Sequence, residues 1–183
     1  MLDAAEYLHL AIHASNKGDH HAALTYLKEV LEQEPQNARA QYLLAAEHAE
    51  LGLFDRAIAG MQSALTLEPG LEMARFQLGL LLLQANQVDS AKAQFSQLAQ
   101  SADQGLKAFA NAMVALAEDR TQAAQEHLAL GLAHSDHNPA LKADMQRMLD
   151  RLMGGNQPTT KVVEAETASV FLGAYQRAPI NDA

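Results

Sequence analysis

The chain has 183 residues, a net charge of −9 and no cysteine, which excludes disulfide staples and thiolate metal sites. Lys and Arg number 13 against 22 Asp and Glu, with no basic block, so neither a phosphate-tracking surface nor a nucleic-acid partner is expected. Aromatics are few and tryptophan is absent, while Ala and Leu prevail over Val and Ile, a mix that favours closely packed helices over sheet.

Residues 1–6 hold no basic segment of the kind that opens a secretory signal. The apolar run 78–83 falls far short of the roughly 18 residues that span a bilayer. A cytoplasmic location without membrane insertion is the expectation.

Taken in chain order, Tyr7, Leu10, Ala11 and Ala14 form a helical stripe over 3–16, and Ala23, Leu27, Val30 and Leu31 form a second over 19–33. Between them Asn16, Lys17, Gly18 and Asp19 read as a turn, with Gly18 free to adopt positive φ. Pro35 ends the second helix. The same alternation predicts helices over 37–51 and 54–67, then 71–85 and 88–100, then 104–117 and 120–134. A ninth, 138–153, opens with Asn138 as cap and Pro139 as first helical residue. Met145, Met148, Leu149 and Leu152 give it an apolar stripe and Asp144, Arg147, Asp150 and Arg151 a polar one, which suits a terminal capping helix. Residues 154–164 read as a linker. Beyond them Ala168, Phe171, Leu172 and Tyr175 fall at i, i+3, i+4 and i+7, a short amphipathic helix weakened by Gly173 and closed by Pro179.

A period runs through these elements. Gly18, Ala23 and Pro35 recur 34 residues later as Gly52, Ala57 and Pro69, and Ala91 continues the alanine series. The pattern resembles the tetratricopeptide repeat. The first repeat supplies Tyr7, Leu10, Ala11, Gly18, Ala23, Leu27 and Pro35; the second supplies Leu44, Ala45, Gly52, Ala57, Met61 and Pro69, departing at Gln41 and His48. The third keeps Leu78, Gly79, Leu82, Ala91 and Phe95 but has Arg75, Asn86 at the turn and Asp103 in place of proline. A fourth, degenerate and one residue short, offers Ala112, Ala124 and Leu128. The resemblance covers about residues 3–136. It implies an all-α fold, a right-handed α-solenoid of antiparallel helix pairs with a C-terminal capping helix and tail. The domains expected are a solenoid over 1–153 and a linker with a tail helix over 154–183. The solenoid divides into repeats at about 4–37, 38–71, 72–104 and 105–137, followed by the capping helix 138–153.

In the family, positions 2, 5, 9 and 12 of each first helix line a concave groove. Carried over, these positions give Leu8 and Ile12, with Ala5 and Ser15, in the first repeat; Arg39 and Tyr42, with Ala46 and Ala49, in the second; Met73, Phe76, Leu80 and Leu83 in the third; and Leu106, Phe109, Met113 and Leu116 in the fourth. Members that clamp a partner's C-terminal carboxylates use Lys, Asn and Arg at groove positions. Here position 5 holds Leu8, Tyr42, Phe76 and Phe109, so that mode is absent. The resemblance instead implies an adaptor that captures an apolar helix or peptide from a protein partner. Tyr42, Phe76, Leu80, Phe109 and Met113 would be the central contacts and Arg39 an orienting charge. The competing reading packs the position-5 and position-9 side chains between neighbouring first helices as core.

The tail offers its own occupant. Val170, Phe171, Leu172 and Tyr175 could plug the groove in cis, or in trans as a homo-oligomer contact, since the linker reaches roughly 3.3 Å per residue. Burial gains of about 1.5–3 kcal/mol per large side chain would be offset by an ordering cost of about 1–2 kcal/mol per residue, leaving a displaceable plug. Two rival functions are a secretion or assembly chaperone for a hydrophobic client segment and a self-assembling structural module.

No chemistry competes with these readings. His9 and His13 lie one helical turn apart, His20 and His21 follow, and His134 and His137 form a loose pair, but none matches a ligand motif. No phosphate loop, GxSxG or HExxH occurs. A non-enzymatic protein without catalytic residues, cofactor or metal is expected.

Overall fold

The computed structural model describes residues 2–134 and 139–154, and among these only helices and turns occur. The helices are α1 (Ala4–Asn16), α2 (His20–Gln33), α3 (Ala38–Glu50), α4 (Phe54–Leu67), α5 (Glu72–Gln84), α6 (Val88–Gln97), α7 (Gln104–Ala117), α8 (Thr121–His134) and α9 (Pro139–Met153). Their ends fall close to those predicted, except that 98–100, expected as the last turn of α6, is a separate 3-10 turn. The fold is all-α and built of antiparallel helix pairs. The chain divides into two compact units, residues 1–78 and 79–183.

In the first unit the starts of α1, α2 and α3 are fixed by polar side chains, whereas α4 begins after Leu53 without a side-chain cap. Asp3 and Glu6 form a reciprocal capping box, the Asp3 carboxylate accepting from the Glu6 N–H at 2.8 Å and Glu6 Oε2 accepting from the Asp3 N–H at 2.9 Å. Asp19 and Asn37 cap α2 and α3 the same way, accepting from the N–H groups of Ala22 and Ala40. The helices then pair through small residues. Ala11, Ala23, Ala45 and Ala57 are all buried, and a β-carbon on Gly60 of α4 would stand 2.7 Å from that of Ala45 in α3. Leu27 and Met61 fill the space beside these close approaches. Tyr7 and Tyr26 add a tilted ring contact between α1 and α2, with centroids 6.2 Å apart.

The second unit repeats the scheme with a different distribution of bulk. Phe95 of α6 lies against Gly79, where an added β-carbon would meet its ring at 2.5 Å. The glycine is the space that the phenylalanine occupies. Farther along, Gly131 of α8 accommodates Met145 of α9, whose sulfur would stand 2.6 Å from an added β-carbon. Asp103, standing where the first two repeats have proline, caps α7 by accepting from the Leu106 N–H at 2.9 Å. Its loss of proline is therefore a gain of a helix start.

The turn inside each helix pair is the same object four times. Gly18, Gly52, Asn86 and Asp119 all take positive φ, at 74°, 73°, 58° and 56°. Each donates its N–H to the carbonyl three residues back, and the next residue donates to the carbonyl five back: Asp19 to Ala14, Leu53 to His48, Gln87 to Leu82 and Arg120 to Ala115. This is the Schellman closure of a helix. The positions are spaced 34, 34 and then 33 residues, so the shortened fourth repeat keeps its turn. Asn and Asp are the non-glycine residues that tolerate this conformation best.

Candidate protein-interaction face

Within each unit, the expected contact residues lie on the first helix of each pair. In the first unit, α1 carries Leu8 and Ile12, α3 carries Arg39 and Tyr42, and α5 carries Met73 and Phe76. Leu8, Ile12, Arg39 and Met73 are half-buried. Tyr42 and Phe76 are buried, Phe76 completely. In the second unit Leu80, Leu83, Leu106, Phe109 and Met113 are buried, and Leu116 is half-buried. The aromatic series at position 5 is thus buried, as are Leu80, Leu106 and Met113 of the expected contact set. The surface that remains comes from Leu8, Ile12, Arg39, Met73 and Leu116. Val170, Phe171, Leu172 and Tyr175 lie outside the described residues.

The sequence reading missed an ionic contact in the first unit. His20 Nδ1 stands 2.8 Å from Glu47 Oε2, joining the first turn of α2 to α3. Glu47 is almost wholly buried, while His20 keeps about a quarter of its side-chain surface. A buried carboxylate needs such a partner. The next residue, His48, has its pKa lowered, first by burial and then by the Arg56 and Lys28 charges, against the opposing pull of Glu47. The His9 and His13 pair joins no larger cluster, and among the described residues no group of three or more His, Asp or Glu could hold a metal ion.

In the second unit Glu118, at the C-terminus of α7, binds Lys92 of α6 at 2.6 Å and also the Arg120 guanidinium. Both hydrogen bonds hold its carboxyl below the usual carboxylate range, that of Lys92 being the stronger influence. Asp144 corrects an expectation. It was assigned to the polar stripe of α9, but it is buried in the face that also buries Leu141, Met145 and Leu152, with the Arg147 guanidinium as partner. The reason is register: residue 144 falls between 141 and 145 on one helical face.

Repeated left-handed turns, small residues at helix crossings and bulky ones beside them make a helix-pair repeat, and residues 16–61 match the sequence profile of the tetratricopeptide repeat. Over that stretch the chain is similar to the tetratricopeptide repeat. Solved structures share its fold. MamA 41-end from Desulfovibrio magneticus RS-1 superposes with a TM-score of 0.63 at 18% identity, covering 98% of this chain and 97% of that one. A MamA RS-1 ArsTM double mutant gives 0.62 at 17% identity, covering 91% and 93%. A further crystal structure of MamA protein gives 0.61 at 17% identity, covering 94% and 90%. No curated protein is significantly similar in sequence. At these identities the likeness is one of fold. Tetratricopeptide repeats are scaffolds for contacts between proteins, and the repeat supports that class of role here. No helix among the described residues is long and apolar enough to cross a membrane.

Proposed function

We propose that this chain is a non-enzymatic adaptor that holds an apolar helix or peptide against the first helices of its tetratricopeptide repeats. The observation that carries the reading is the character of those helices. The positions that the family turns towards a ligand are apolar apart from Ser15 and the charged Arg39. Leu8, Ile12, Arg39 and Met73 in the first unit and Leu116 in the second are the residues with surface to offer. Tyr42, Phe76, Leu80, Leu83, Phe109 and Met113 lie beneath and hold those helices in place. A ligand reaches the buried set only where their cover gives way.

The chain's own C-terminal segment, with Val170, Phe171, Leu172 and Tyr175, is the first candidate ligand, from the same chain or a second copy. It combines an apolar stripe with a linker long enough to travel. Light scattering on the full chain and on one ending at Gly154, with a synthetic peptide of residues 164–180 titrated onto each, tests this. Binding to the shortened chain that is at least tenfold tighter than to the full chain supports an occupied face. Equal affinity for both, or none for either, removes the tail as ligand.

A further inference from the structure

Helix α9 packs on α8 and α7 and buries Leu141, Met145 and Leu152, with the Met145 sulfur seated over Gly131 of α8. Asp144 sits inside that apolar seam, 7% exposed. Its described partner is Arg147, one turn later on the same helix, whose side chain is mostly in water. The carboxyl is therefore buried by the packing of α9, whereas its counter-charge stays at the rim whether α9 is seated or not. Seating the helix removes water from the acid without bringing it a new partner from α7 or α8. A protonated carboxyl tolerates that burial far better than a carboxylate.

We propose that the docking of α9 is proton-coupled through Asp144, so that acidification seats the helix and neutral pH loosens it, uncovering the surface of α8 around Gly131. The direction follows from linkage. Burial is the largest influence on Asp144 and raises its pKa from 3.8 to about 6, against the opposing pull of Arg147. A carboxyl whose pKa is raised on docking binds more protons docked than undocked between those two values. Docking therefore weakens as pH rises from about 4 to about 6 and is level above that. The other charged and titratable groups of these three helices are Lys142, Asp150 and Arg151 on α9, Glu126, His127 and His134 on α8, and Lys107 on α7. Arg147 alone among them perturbs Asp144. The consequence is a cap whose hold on the last helix pair depends on pH, in a protein whose partners are expected to seek apolar helix faces.

Hydrogen exchange on the full chain tests this at pH 5.0 and pH 7.5, with amide protection corrected for intrinsic rates. In the wild type, protection of α9 and of the α8 amides beneath it should fall by roughly tenfold between the two pH values, since about one unit of the pKa displacement lies above pH 5.0. In Asp144→Asn the same amides should be protected almost equally at both. Wild-type protection that does not change, or an equal change in Asp144→Asn, overturns the proposal. Arg147→Gln provides an independent reading if Asp144→Asn does not fold. Removing the guanidinium leaves burial unopposed, so the midpoint of the loss of protection must move to higher pH, and an unmoved midpoint also overturns the proposal.

Discussion

His20 Nδ1 and Glu47 Oε2 lie 2.8 Å apart and tie the start of α2 to α3, one helix pair to the next. Glu47 is enclosed and His20 is not. The carboxylate can only accept, so the histidine nitrogen facing it carries the proton. His20→Ala would leave a buried acid without its partner and should cost about 1–3 kcal/mol. The double variant His20→Ala with Glu47→Leu should recover most of that loss, because removing both members also removes the desolvation cost. Urea unfolding of the two single variants and the double variant checks this.

Gly79 and Phe95 form a size-matched pair in the second unit. Gly79→Ala should destabilise by about 1–3 kcal/mol through overpacking against the ring. Phe95→Leu in the same chain should relieve part of it. Thermal denaturation of the single and double variants decides whether the two sites are coupled.

The four left-handed turn residues should respond according to conformation. Nothing lies within 4 Å of an added β-carbon on Gly18 or Gly52, so substitution there strains the backbone alone. Gly18→Ala and Gly52→Ala should each cost about 1–2 kcal/mol. Asn86→Gly and Asp119→Gly should be neutral or stabilising, because they already hold the same conformation with a side chain attached. Matched chemical denaturation curves separate the two groups.

His48 should contribute to acid sensitivity. Its pKa in the folded chain is lowered below 6.5, first by burial. A base with a depressed folded pKa binds fewer protons folded than unfolded. Its contribution is thus complete above about pH 6.5 and is lost as pH falls through the folded value. His48→Gln should flatten stability against pH in that window, measured as the urea midpoint between pH 5 and pH 7.5.

Much of this was legible in the residues. Gly18, Gly52, Pro35 and Pro69 punctuate the chain where helices stop, and Asp3, Asp19 and Asn37 supply caps where they start, so local chemistry located the helices. Asn86 and Asp119 were harder, because side chains other than glycine reach positive φ only when the closure around them holds it. Asp103 read as a lost proline, although its carboxylate begins α7. The aromatic series at position 5 was legible as apolar but not as buried: a first-helix side chain can face a ligand or its neighbours, and helical periodicity gives both the same signature. Glu47 and Asp144 were invisible as buried acids, since helix spacing marks a face and not what covers it.

The most direct measurement is the affinity of the 164–180 peptide for the chain ending at Gly154, read by isothermal titration for three single variants alongside the parent. Ile12→Glu and Met73→Glu place charge on half-buried side chains of the proposed face, and Leu130→Glu places it on an exposed residue of α8, a second helix. The adaptor reading predicts at least a tenfold loss of affinity, about 1.4 kcal/mol, for Ile12→Glu and Met73→Glu with helical content unchanged, and no loss for Leu130→Glu. Full affinity in both first-helix variants, or a loss confined to Leu130→Glu, would contradict it.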